Sequence, residues 1–430
     1  MKDPATRDAA FARLDSLGVS ALRVVMYWQE VTPSGGDKTQ PDIDTTDTAN
    51  YDWSRFDPIF AAAKQRGWPV ILTVSGPVPR WATRTRKDNV TNPDPNKFAQ
   101  FMTAVGRHFG SEVAYWSIWN EPNHPAFLQP QYDRHHRPVS PALYRDLFEA
   151  AQKGLKSAKV ASPQMLFGET APTGTGKDVS PLAFLRGALC LSSTYHRTSK
   201  KCAKLSIAGY AHHAYTPKAG PNFKNTGKDN VFIGVLPRLT SALDKAARAG
   251  AIPAHLPVFL TEFGIQSTPD PLFGVPLQQQ AEYRSIAERI AYDNPRVKSF
   301  SQYLLKDDQP RKGLTGSAKY GGFESGLLTS SGKEKPSYDG FRLALAVRRR
   351  TSSSASIWGE VRPARAAGTA MLQIRSGGKG AFRNYKTVSY NRLGYFTLTA
   401  GYAKNRQYRI AWTAPDGAAY EGAPTRAYDY

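Results

Sequence analysis

One unit recurs along the first 300 residues and limits the architecture more than any other feature: a helical stretch, often a glycine, then a short run too apolar for an exposed strand. Residues 4–17 put Ala9, Ala10, Phe11, Leu14 and Leu17 at helical spacing, and Gly18 closes the helix. Residues 21–28 (ALRVVMYW) follow at once and read as a parallel strand buried on both faces. The unit then repeats as helix 56–66, Gly67 and strand 69–75. Helix 97–109 leads to strand 113–119, helix 141–158 to strand 164–169, and a further strand lies at 205–211. Helix 236–249 precedes strand 257–262, and helix 277–293 precedes strand 297–304. Seven strands alternating with helices predict a parallel sheet with helices outside it. A closed (β/α)8 barrel, the TIM-barrel form, needs eight. Residue 4 already opens a helix that in such a barrel follows a strand. The expected fold is therefore an α/β TIM barrel lacking its first strand in this chain, with an incomplete or patched seam beside residues 21–28.

The texture changes after a helix expected at 338–348. Arg348-Arg349-Arg350-Thr351-Ser352-Ser353-Ser354 reads as a linker, and short alternating runs between glycine-rich turns follow from Ile357. The predicted division is a barrel domain over 1–347, a linker over 348–356 and a small all-β sandwich over 357–430.

Lys and Arg outnumber Asp and Glu by 57 to 35, a net charge of +22. The last fifth of the chain, from Ala346, holds fourteen basic and four acidic residues. Such a surface favours anionic partners, and an acidic cell-envelope polymer is expected among them. No helix-turn-helix, zinc-finger or RNP-type pattern accompanies the charge, so specific nucleic-acid binding is not expected. No run of about 18 apolar residues is present to span a membrane. Cys190 and Cys202 flank a short polar, basic loop and are expected to form a disulfide. That pairing favours a secreted or envelope-associated protein. The sequence opens without a charged-then-apolar leader, which fits a mature chain, an intracellular protein or a chain cut after its signal. A monomer is expected.

The unusual residues sit where strands end. Tyr115-Trp116-Ser117-Ile118-Trp119 runs into Asn120-Glu121-Pro122-Asn123, and Pro257-Val258-Phe259-Leu260-Thr261 runs into Glu262-Phe263-Gly264. A carboxylic acid at the end of a buried strand needs a partner or a task. In a barrel the carboxyl ends of the strands hold the active site. Two facing carboxyls there suit hydrolysis of a glycosidic bond, one protonating the leaving oxygen while the other attacks the sugar carbon. Trp28, Trp81, Trp119 and Tyr303 at strand ends are expected to contact sugar rings, ordinary packing being the alternative for the tryptophans. Glu169 and Glu324 are further polar candidates. His212 and His213 are adjacent on a strand and point to opposite faces, so they do not share a metal. No metal and no cofactor are expected.

WNEPN at 119–123, TEFG at 261–264, AHHAY at 211–215 and Arg23 within a strand together resemble clan A of the glycoside hydrolases, most nearly family 39 and its relatives. The resemblance covers about residues 4–345. It implies a retaining β-glycosidase acting on an oligo- or polysaccharide, with Glu121 as acid/base and Glu262 as nucleophile. It further implies that Asn120 holds the sugar 2-hydroxyl, and that Arg23 with Tyr215 or His213 keeps the nucleophile ionised and oriented. It also makes the strand of Glu121 the fourth, whereas the sequence shows it third, which agrees with a missing first strand. The competing expectation is a non-catalytic protein binding carbohydrate or anionic polymer on a degenerate barrel.

Overall fold

The computed structural model describes residues 3–429 except 201, 225 and 379. Helix α1 (Pro4–Ser16) is capped by Asp3, whose carboxylate accepts from the Thr6 amide, and it ends at Gly18, where φ is +72°. A positive φ is cheap for glycine, so the chain reverses there and enters β1 (Leu22–Tyr27). A single helical turn, α2 (Trp28–Val31), follows. The repeat continues with α3 (Asp57–Gln65), β2 (Val70–Ser75), α4 (Pro95–Phe109), β3 (Val113–Ile118), α5 (Ser140–Ser157), β4 (Met165–Thr170), α6 (Pro181–Ala188) and β5 (Gly209–His213). Then come α7 (Pro237–Arg248), β6 (Val258–Phe263), α8 (Leu277–Tyr292), β7 (Val297–Gln302), the short turn α9 (Gly316–Lys319) and α10 (Pro336–Arg342).

Strands β1 to β7 form one parallel sheet in sequence order, each bonded to the next. Among the described residues no strand joins β1 to β7, and the expected seam lies between them. Its effect shows in burial. Every residue of β2, β4, β5 and β6 is buried, whereas the two outer strands are mostly half-buried. Beside the seam a small apolar cluster joins Leu17 to Leu327, Leu328, Tyr338 and Phe341. The main core lies between sheet and helices and includes Trp28, Trp81, Phe98, Trp116 and Trp119.

The second unit is β8 (Leu343–Arg349), β9 (Ser354–Val361), β10 (Gly368–Arg375), β11 (Arg383–Tyr390), β12 (Tyr395–Gly401), β13 (Gln407–Thr413), β14 (Ala419–Glu421) and β15 (Thr425–Tyr428). Its strand order is β11-β10-β13-β15-β8-β9-β12, antiparallel except for β15 beside β8. The boundary differs from the expected one. Residues 343–349 are a strand rather than the end of a helix, and most of the stretch read as a linker belongs to the hairpin pairing β8 with β9. Leu343, Leu345 and Val347 enter the β-domain core while Ala344 and Ala346 pack toward α8, and this two-sided burial matches strand alternation. The two units share a buried ionic cluster. Arg362, just after β9, donates to Glu288 of α8 and to Glu360, while Arg284 pairs with Glu288.

Candidate active site

The carboxyl ends of β3 and β6 bring Glu121 and Glu262 together, although 140 positions separate them in sequence. After Ile118 the chain turns sharply: Trp119 and Glu121 have φ of +69° and +42°. Such values cost non-glycine residues about 1–3 kcal/mol each and persist only where the surroundings enforce them. Here the Trp119 amide donates to Val74 O, the Asn120 amide to Ser75 Oγ and the Glu121 amide to Glu169 O. The Trp119 indole donates to Phe127 O, and its ring lies where a Cβ on Gly76 would stand 2.7 Å away. Gly76 is thus required for the close approach that fixes the turn.

Arg23 organises the floor. Its guanidinium donates from Nη1 to Glu262 Oε1 at 2.5 Å, from Nη2 to Asn120 Oδ1 at 2.7 Å, and from Nε to Glu169 Oε1 at 2.8 Å. Burial alone would weaken its charge, but Glu169 and Glu262 raise its pKa above the ordinary arginine value. Tyr215 donates its hydroxyl to Glu262 Oε2 at 2.9 Å. His213 places Nδ1 2.9 Å from Glu121 Oε1 and 3.5 Å from Glu262 Oε2. Burial would lower that imidazole, but Glu262 and then Glu121 hold it above its usual value. Burial likewise favours a protonated Glu262, and His213, Arg23 and Tyr215 outweigh it, so the carboxyl stays below its usual range. The donor atoms of Glu121, His213 and Glu262 all lie within 4.8 Å of one another. Among the described residues this is the one group spaced to hold a metal ion. The Arg23 guanidinium already supplies positive charge to Glu262, so the set suits proton transfer and nucleophilic attack.

Glu121, Glu262, Asn120, Arg23, His213 and Tyr215 therefore converge. Tyr303, after β7, lies near enough for Glu262 to help raise its phenol, though burial is the larger cause. Tyr27, at the end of β1, is pushed up to about 12, first by burial and then by Glu262. The three tryptophans are placed differently. Trp28, Trp81 and Trp119 are 0 % exposed and lie in the main core, Trp28 against Trp81 and Phe101, and Trp119 against Phe98. Packing accounts for them, and none presents a face to a sugar. The half-buried aromatic groups at this end are instead Tyr27, Phe127, Tyr215 and Tyr303, with Tyr27 stacked on Phe127.

His212 points away from the site, as adjacency on a strand requires. It lies against Thr170 and Val231 O, and burial holds it neutral with a pKa of about 4. Glu324 is buried beside the Lys335–Asp307 pair, and burial, with Asp270, Asp307 and Asp308, pushes it up to about 7. Cys190 and Cys202 form a disulfide in the loop beyond α6. No helix among the described residues is long and apolar enough to cross a membrane.

Glu169 has a larger part than its strand-end position alone suggested. It is fully buried at φ +48°, accepts from Arg23 and Thr73, and leaves Oε2 without a partner among the described residues. The signal was present as a lone acid in the otherwise apolar run MLFGET, but only the fold shows that its cation is Arg23.

Residues 1–159 match the model of the cellulases, glycosyl hydrolase family 5, a clan A family rather than the family 39 that the motifs most resembled. No curated protein matches the chain. Among solved structures, a glucosidase from Croceicoccus marinus is similar with a TM-score of 0.53 and 11% identity, covering 93% of this chain and 90% of that one. A β-glucosidase from Exiguobacterium marinum has a TM-score of 0.49 and 14% identity over 78% of this chain and 85% of its own. A calcium-binding mutant of Bacteroides uniformis β-glucuronidase 2 has a TM-score of 0.49 and 10% identity, over 99% of this chain and 43% of its own. The likeness to the Croceicoccus structure is one of fold.

Proposed function

We propose that this protein is a glycosidase that hydrolyses β-linked glycosides with retention of configuration, by double displacement through Glu262 and Glu121. The observation that carries the reading is spacing: donor atoms of the two carboxyls and of His213 lie within 4.8 Å of one another. Retaining enzymes hold their carboxyls roughly 5–5.5 Å apart, whereas inverting ones need roughly 6.5–9.5 Å to admit a water. The match of residues 1–159 to a glycosyl hydrolase model supports the same class.

In this reading the ionised Glu262 attacks the anomeric carbon while Glu121 gives its proton to the departing oxygen. The C–O bond to the aglycone breaks as the glycosyl–Glu262 ester forms. Glu121, now a carboxylate, takes a proton from water, whose oxygen displaces Glu262 and restores both groups. Arg23 and Tyr215 orient the nucleophile. Asn120, its oxygen occupied by Arg23, keeps its amide N–H groups for the sugar 2-hydroxyl. The disulfide and the basic surface support an exported enzyme working near acidic envelope polymers.

A 2-deoxy-2-fluoro β-glycoside with a good leaving group should inactivate the enzyme and leave its label on Glu262 in peptide mass spectra. Aryl β-glycosides of several sugars should be hydrolysed first to the β-anomer, as read by NMR. Label on another residue, or release of the α-anomer, overturns the mechanism. Hydrolysis of no glycoside by the wild type, with glycoside binding intact in Glu262→Gln, points instead to a binding protein.

A further inference from the structure

A small apolar cavity opens beside the nucleophile, and it has no part in the acid–base chemistry. Its walls include Tyr215, Ile265, Phe273, Val275 and Phe323, with Gln266 among them. Tyr215 belongs to both places: it lines the cavity, and its hydroxyl donates to Glu262 Oε2 at 2.9 Å. Gly264, two residues past Glu262, also borders it. A group seated there is therefore a neighbour of whatever occupies the nucleophile.

Two wall residues are unusually open for their size. Phe273 is 61 % exposed and Phe323 is 40 % exposed. Scattered exposed apolar residues are ordinary, but two aromatic rings lining one concavity at the active end of a barrel are a feature of ligand sites. The tip carrying Phe273 is held in place, because the Leu272 and Phe273 amides both donate to the buried Asp270 carboxylate, at 2.8 and 3.2 Å. Phe323 packs edge-on against Tyr303 at 5.1 Å. Thr216, Lys218 and Tyr283 add polar groups to the wall, and Gln266 Oε1 is buried and has no hydrogen-bond partner among the described residues.

Volume narrows the occupant. The cavity measures about 110 Å³. Complete small-molecule sites run about 300–1,000 Å³, and an apolar cavity of about 150 Å³ takes a benzene ring. The space therefore suits a short alkyl chain or part of a ring, and a whole sugar residue does not fit it.

We propose that this cavity binds an apolar substituent of the glycoside, so that the enzyme prefers alkyl or aryl glycosides to free oligosaccharides. The inference rests on the glycosidase reading above for its substrate, and on the cavity itself for its chemistry. Each methylene buried on binding contributes about fourfold in affinity.

The test compares hexyl with methyl β-glycosides, whose leaving alcohols are similar in acidity, over the glucosyl, galactosyl, mannosyl and xylosyl series. For the sugar that is turned over, kcat/KM should be at least tenfold higher for the hexyl compound. Phe273→Ala, at an exposed position that should not compromise folding, should lower that hexyl-to-methyl ratio several-fold, and Phe323→Ala should act in the same direction. Saturation-transfer NMR of hexyl β-glucoside with full-length Glu262→Gln protein gives a readout independent of turnover. Strong saturation of the terminal alkyl protons, reduced when Phe273→Ala is added, supports the cavity. Hydrolysis with a ratio near one and unsaturated alkyl protons overturns the cavity and leaves the glycosidase reading intact. Alkyl saturation without turnover of any glycoside overturns the glycosidase reading and leaves the cavity.

Discussion

At the scale of single residues, the site turns on one cation shared between two carboxylates. Arg23 reaches Glu262 through Nη1 and Glu169 through Nε, and the Glu169 carbonyl also holds the Glu121 amide. Glu169 therefore bears on both proposed catalytic acids without belonging to either. Glu169→Gln would leave the Arg23 charge to Glu262 alone. The proposed nucleophile would then stay ionised to lower pH and become less reactive. Because Glu262, as the proposed nucleophile, must be ionised to attack, and its folded value already lies below the usual carboxylate range of about 4.3, activity should fail on the acid side only below that pH. The Glu169→Gln acid limb should move lower still, with kcat down by about tenfold, equivalent to about 1.4 kcal/mol. An unmoved limb with only a loss of thermal stability would make Glu169 a packing residue.

At the scale of elements, short local signals fix where each piece begins. Asp94 caps α4 by accepting from the Asn96 and Lys97 amides at 2.8 and 3.4 Å, and Pro95 follows at the first helical position. Helix α4 carries Phe98, Phe101, Met102 and Phe109 into the core. Asp94→Ala should cost about 1 kcal/mol in denaturant unfolding, with little change in kcat, since none of these contacts reaches Arg23 or the two glutamates. The same local logic explains why the element boundaries of the barrel were legible. Gly18 and Gly67, with φ of +72° and +65°, end helices where the sequence placed the ends. It failed at residues 343–349, where small and aliphatic residues suit helix and strand alike. Pairing with β9 decided the outcome there.

At the scale of the whole molecule, the barrel and the β-domain are joined through buried charge as well as apolar contact. Trp358 and Tyr395 pack with Tyr292, and Arg362 bridges Glu288 of α8 and Glu360 of β9. Burial, opposed by Arg362 and reinforced by Glu288, pushes the Glu360 carboxyl up to about 8, while Glu288 is held low by Arg284 and Arg362. A carboxyl raised on folding binds more protons in the native state, so its contribution to stability falls as pH rises from about 4.3 toward 8. Arg362→Ala would leave two buried acids with less compensation. It should cost about 3–5 kcal/mol, and calorimetry should show the two units unfolding in separate steps. A single transition near the wild-type temperature would mean that the apolar contacts alone couple them.

The sequence by itself determined the repeat, the parallel sheet, the strand ends that carry Glu121 and Glu262, and the seam beside β1. All of these follow from periodicity and turn chemistry within a few residues. Beyond the meeting of Glu121, Glu262 and Arg23 that the family resemblance implied, only the tertiary structure decided which side chains meet. It brought Arg23, Glu169 and Glu262 from three strands onto one another, and it drew Trp28, Trp81 and Trp119 inward, away from any ligand. An aromatic residue at a strand end has the same local signature whether it packs or binds. What separates the two outcomes is the space left by neighbours distant in the chain: Phe98 and Phe101 fill it around the tryptophans, while Phe273 and Phe323 leave a cavity beside Tyr215.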